Sequence, residues 1–128
     1  MGSCSVIEDV DPIFNRTFGL DSGPRVRLRL ARAGDREAFT RLLNDRGVEP
    51  DDLDVRRLLA YDPVRRRVLA AFAPIDGVET LVGIGAIDLA DDADVDTLVV
   101  DERLTAGLGE LLVRILRGRA AARGHRVA

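Results

Sequence analysis

DTLVVDERLTAGLGELLVRILRGRAAAR, residues Asp96 to Arg123, decides how the rest of the chain reads. Leu98, Val99 and Val100 form a short apolar run rich in β-branched residues, the composition of a buried strand. Asp101-Glu102-Arg103 makes a charged turn, and Leu104-Thr105-Ala106-Gly107-Leu108-Gly109 follows with two glycines. Apolar residues then recur at Leu108, Leu111, Leu112, Ile115 and Leu116, the spacing of a helix that buries one stripe. The stretch predicts a strand, a glycine turn and a helix reaching Arg123, with Gly124 as its stop. Such a junction aims backbone N–H groups and the positive end of a helix dipole at one point, which suits a phosphate. A plain helix N-terminus in a small α/β domain is the alternative, because G-x-G alone is a weak signal.

Moving toward the N-terminus, the strand that enters this junction spans Asp94 to Val100. Leu81 to Leu89 predicts another, with Gly83 and Gly85 on one face, where they admit a close approach of backbone or ligand, or a bulge. Val68 to Ala73 predicts a third, joined by the Asp76-Gly77 turn signal in a loop longer than a minimal hairpin. Asp88, Asp91, Asp92, Asp94 and Asp96 straddle the turn between the last two strands. They lack the glycine and bidentate Glu of a calcium loop and read as a solvated acidic turn. Carboxylates beside a cleft also attract a cationic amine.

Arg25 to Leu30 alternates strictly, the mark of a half-buried strand whose three arginines form a solvated face. Asp35 is placed to cap a helix carrying Ala38, Phe39, Leu42 and Leu43, which Gly47 ends. A second helix starts between Pro50 and Asp52, carries Leu53, Leu58 and Leu59, and stops before Asp62-Pro63. Residues 1–24 read as a lead-in to a domain over residues 25–128. In it Asp11 caps a short helix, Pro12 takes the first position, Ile13, Phe14 and Phe18 share its apolar side, and Gly19 ends it. His125 to Ala128 look like the first residues of a further strand.

Composition bounds the function. A chain of 128 residues with 46% hydrophobic and 32% charged residues is a soluble globular domain by prior. No apolar run approaches the roughly 20 residues of a membrane span, and the N-terminus lacks a secretory pattern. Cys4 is the only cysteine, which suits a reducing cytoplasm. His125 is the only histidine, so neither a His/Cys metal site nor a Ser/His triad is expected. All 19 basic residues are arginine, and the net charge of −3 with no tryptophan argues against nucleic acid as a partner.

The order strand-helix-helix-strand-strand-strand-helix-strand resembles that of the GNAT (GCN5-related N-acetyltransferase) family over about Val26 to Ala128. VRLRLARAGDREAFTRLL is similar to the family's opening strand and helix, and LVGIGAIDL to its third strand. TLVVDERLTAGLGELLVRIL aligns with its coenzyme motif, strand-x-V-x-P-x-x-(R/Q)-x-x-G-x-(G/A)-x-x-L. The resemblance implies an α/β (α+β) fold with a mostly antiparallel central sheet flanked by helices, its C-terminal part missing. It also implies N-acetyl transfer from acetyl-CoA to a small-molecule or peptide amine, or else a non-catalytic module that binds CoA weakly or a protein partner.

Carried over by position, Leu98, Val99 and Val100 face the pantetheine arm. Leu104, Thr105, Ala106, Gly107, Leu108, Gly109 and Glu110 offer phosphate-facing amides. Gly107 and Gly109 are expected because a Cβ there would meet phosphate oxygens. The chain departs from the motif at Leu104, where Arg or Gln is usual, at Ala106, a frequent second Arg, and at Asp101, a common Pro. Glu110 adds a carboxylate that repels a diphosphate. Asp94 and Asp96 are the weak candidates for a catalytic base, while Tyr61, the only tyrosine, lies far from the position of the family's acid. The exposed sheet edge beyond Asp94–Val100 predicts a homodimer.

Overall fold

The computed structural model describes residues 16–20, 25–47, 55–59, 62, 64–90 and 92–127, without the side chains at 56 and 57. Five strands, β1 (Arg16–Gly19), β2 (Arg25–Leu30), β3 (Arg66–Ile75), β4 (Val78–Asp88) and β5 (Asp94–Val100), form one sheet in that order. Every neighbouring pair is antiparallel. Helices α1 (Arg36–Asp45) and α2 (Val55–Leu59) cover one face and α3 (Leu108–Ala122) the other.

Each helix sits where its stripe finds apolar strand residues. Leu108, Leu111, Leu112, Ile115 and Leu116 of α3 pack on Leu69, Val82 and Ile87. Phe39, Leu42 and Leu43 of α1 and Leu58 and Leu59 of α2 pack on Val68, Ala70 and Ile84. Because strand side chains alternate between faces, an apolar run such as Leu69 to Ala73 serves both helix layers at once.

Several expectations are corrected. Residues 1–15 lie outside the described residues, but Arg16 to Gly19 are a strand paired with β2, from Arg16↔Leu28 to Gly19↔Arg25, rather than a helix end. The β3–β4 hairpin closes on two residues, both with positive φ: Asp76 at 51° and Gly77 at 80°. That is the tight turn whose twist matches the strands, so the loop is minimal after all. The arginines of β2 are not simply solvated. Arg27 pairs with Glu79, and Arg29 sits over the Phe72 ring at 4.5 Å. Asp35 stands at the start of α1, yet its carboxylate accepts from Arg29 (2.7 and 2.8 Å) and from the Arg32 N–H (2.9 Å).

Gly83 and Gly85 admit a helix rather than a ligand. A Cβ on Gly83 would lie 2.7 Å from Leu108 Cδ2, and one on Gly85 3.1 Å from Leu116 Cδ1. The start of α2, Tyr61 and Asp91 lie outside the described residues. Past α3, Gly124 turns the chain at φ 89° and Ala93 donates to the Arg126 carbonyl at 2.6 Å. The expected further strand is represented by one parallel bridge, Ala93↔Val127.

Candidate functional site

Strand β5 is the sheet's last strand, and its register decides which backbone groups face outward. Asp101 donates its N–H to Val82 O (2.8 Å), and Val99 stands opposite Ile84. Antiparallel pairs alternate between hydrogen-bonded and non-bonded partners, so Val99 and Thr97 direct their backbone groups to β4. Leu98 and Val100 direct theirs to the open edge. Of the three residues expected there, Leu98 and Val100 present backbone polar groups, and Val99 turns its half-buried side chain toward the α1 face. A register shift between Ala86 and Ile87 leaves Asp96 as the extra residue of β5, a bulge that re-aims its side chain.

The β5–α3 loop is built on Asp101, which is 6% exposed. Its carboxylate Oδ1 accepts the N–H groups of Arg103 (3.1 Å) and Leu104 (3.3 Å). Its carbonyl accepts from the Thr105 N–H (3.0 Å) and from Thr105 Oγ1 (2.9 Å), and Thr105 is fully buried. Leu108 N donates to Thr105 O at 3.1 Å. The amides of Leu104, Thr105 and Leu108 are therefore used to hold the loop itself. The bond from Leu111 N to Gly107 O (3.2 Å) closes the first turn of α3, so the amides of Gly109 and Glu110 precede the helical ladder and point out of its end. Ala106 is exposed in the loop before them.

The two loop glycines differ in what surrounds them, and only Gly107 has a backbone that calls for glycine. Gly107 takes a left-handed conformation, φ 91°, with nothing within 4 Å of an added Cβ. Gly109 lies beside Glu102, whose Oε1 would be 3.3 Å from that Cβ. A carboxylate of the chain itself thus sits at the helix start, and Glu110 adds a second in the first turn. Leu98 and Leu104 are exposed apolar side chains on the strand and the loop.

The two acids differ in surroundings. Asp96 is held by Arg66 through both carboxylate oxygens (2.6 and 2.7 Å), with Thr97 Oγ1 3.3 Å from the same guanidinium. Asp94 is exposed and has no ion pair among the described residues. No cluster of metal-ligating side chains occurs among the described residues, and no described helix is long and apolar enough to cross a membrane. Asp101, Glu102 and Arg66 carry more of the site's electrostatics than composition indicated. An Asp opening a turn, ready to take amides two and three residues on, was the available local signal for the first.

Burial alone would raise the Asp101 carboxyl, but hydrogen bonding and charge from Arg103, with the Leu104 and Arg103 amides, outweigh it and hold the group below the usual carboxylate range. A depressed folded-state value means the stabilisation is present above the unfolded value and is lost as pH falls through the folded one. Thermal melts are therefore expected to show no loss from this group between about pH 7 and 5 and a loss below about pH 4. Asp101→Asn should flatten that acid limb; an unchanged limb would count against the assignment.

The sequence matches no protein-family model and no curated protein. Its structure is similar to the GNAT domain of S. lividans PAT, at TM-score 0.71 and 21% identity over 91% of this chain and 77% of that one. It is similar also to the ribosomal-protein-alanine N-acetyltransferase of Brucella melitensis biovar Abortus 2308, at TM-score 0.57 and 24% identity over 78% and 74%. A Trypanosoma brucei acetyltransferase matches at TM-score 0.57 and 20% identity over 80% of each chain. At these identities the likeness is one of fold: the chain has the GNAT acyltransferase fold.

Proposed function

We propose that this GNAT-fold chain binds acetyl-CoA along the outer edge of β5 and the start of α3, as the donor side of N-acetyl transfer to an amine. One observation carries the reading: outward backbone groups at Leu98 and Val100 are followed, across the β5–α3 loop, by the outward amides of Gly109 and Glu110. The backbone fits an extended arm followed by phosphates, whereas Glu102 and Glu110 oppose the phosphate charge, so affinity is expected to be modest. When bound, the coenzyme would supply an acyl group activated as a thioester. The chain's own part is to hold that arm in line and keep the reacting amine deprotonated. Asp94 is the carboxylate available to take a proton, directly or through water, because Asp96 is engaged by Arg66.

Isothermal titration with acetyl-CoA tests this. Binding is expected in the range of roughly 10 μM to 1 mM, equivalent to about 4–7 kcal/mol. Glu102→Gln is expected to tighten it roughly two- to fivefold by removing a charge from the helix start. No heat and no thermal shift at millimolar acetyl-CoA would overturn the reading. A panel of polyamine, aminoglycoside and peptide amines then identifies the acceptor by release of free thiol.

A second reading, a non-catalytic module whose β5 edge pairs with a second copy of the chain, is favoured by the exposed Leu98 and Leu104 beside an edge that no other strand covers among the described residues. Light scattering that shows a monomer at tens of micromolar would exclude it.

A further inference from the structure

Arg46 is the residue after α1, and its guanidinium reaches the far end of β5. Nη1 lies 3.7 Å from Asp101 Oδ1, the same oxygen that accepts the Arg103 and Leu104 amides. At 3.7 Å this is an ion pair without a hydrogen bond. Among the described residues no hydrogen bond is made by the Arg46 side chain. That side chain is 29% exposed, so its stem is largely covered while solvent still reaches it, and no buried side-chain nitrogen or oxygen among the described residues lacks a partner. Guanidinium presents five N–H donors in a planar fork suited to phosphate oxygens, and Asp101 takes none of them at bonding distance. The other cation at the loop, Arg103, is 72% exposed and lies along Asp101 at 3.4 Å. The loop meanwhile carries an exposed leucine at position 104, which offers no charge and no donor.

We infer that Arg46, delivered from α1 and steered by Asp101, donates to a phosphate of the coenzyme and supplies the charge that Leu104 does not. The inference rests on the acetyl-CoA reading above. It makes the end of α1 part of the donor site, although that helix belongs to the opposite face of the sheet from α3. The buried carboxylate positions the guanidinium by charge without occupying its fork.

The test compares wild type, Arg46→Gln and Arg46→Lys by isothermal titration against acetyl-CoA and against acetyl-pantetheine, which has the same arm and no phosphate. Loss of a charge-assisted hydrogen bond predicts acetyl-CoA affinity at least about tenfold weaker in Arg46→Gln. Acetyl-pantetheine affinity should stay within about twofold, and Arg46→Lys should recover part of the loss because the charge is kept. The acetyl-CoA effect should also shrink as salt is raised. Equal weakening of both ligands would show a merely structural role and overturn the inference, as would unchanged acetyl-CoA binding or a Lys variant no better than Gln. Wild type that binds acetyl-pantetheine and acetyl-CoA equally removes the phosphate contact alone. Wild type that binds neither removes the coenzyme reading and this inference together.

Discussion

Asp35→Ala is expected to destabilise the fold by about 3–5 kcal/mol, the usual result of breaking one side of a buried ion pair. The Asp35 and Arg29 side chains are 8% and 13% exposed and meet through two hydrogen bonds of 2.7 and 2.8 Å. Removing the carboxylate leaves the Arg29 guanidinium without its bidentate acceptor and the Arg32 N–H without the oxygen it meets at 2.9 Å. Burial by itself would raise the Asp35 carboxyl, but the Arg29 and Arg32 contacts outweigh it and lower the group. The contribution is thus fully present at neutral pH and is lost as pH falls through the depressed value. Urea denaturation should show a matching drop, and the melting temperature should fall by about 10–20 °C for a domain of this size. Asp35→Asn keeps an acceptor for Arg32 and should cost less, about 1–3 kcal/mol. A change below about 1 kcal/mol in Asp35→Ala would show that the pair is not holding β2 to α1. Because α1 carries Arg46 to the loop, the same variant is expected to weaken acetyl-CoA as well.

Gly83→Val should be the most damaging single change at the interface between β4 and α3. Even alanine places a Cβ 2.7 Å from Leu108 Cδ2 and 3.1 Å from Val100 Cγ1. Leu108 and Leu112 are fully buried, so neither can swing into solvent to make room. Gly83→Ala is expected to cost about 1–3 kcal/mol through overpacking, and Gly83→Val, with two more methyl groups, more than that. The displaced element is the first turn of α3, so acetyl-CoA binding should fall further than the stability loss explains. Gly118 supplies the control: it lies in the same helix with nothing within 4 Å of an added Cβ. Gly118→Ala is expected to stabilise by about 0.5–1 kcal/mol. A Gly83→Ala protein as stable as wild type would mean that the helix has slack the packing does not suggest.

Much of the fold was legible because it is written in periodicity. Asp94–Val100 is a strand at the expected bounds, and the helix after it ends at Ala122 with Gly124 turning at φ 89°. Gly47, at φ 74°, stops α1 for the same reason: a glycine reaches the left-handed region without a Cβ penalty. Gly83 and Gly85 announced a close approach, though not that a helix makes it. Arg16–Gly19 carried no alternation to read, and its strand exists through its register with β2.

The backbone geometry of the candidate site was legible in the sequence, and its charge pairing was not. By itself the sequence determined a strand, a left-handed glycine and a helix start, because these follow from local φ/ψ preference and from which side chains must leave water. Only the tertiary structure decided that Leu98 and Val100, not Val99, face the edge, since that parity is set by pairing with β4. It alone brought Arg66 to Asp96, Arg46 to Asp101 and Glu102 to Gly109. A charge takes its partner by distance in space across separate elements, and no spacing along the chain encodes that distance.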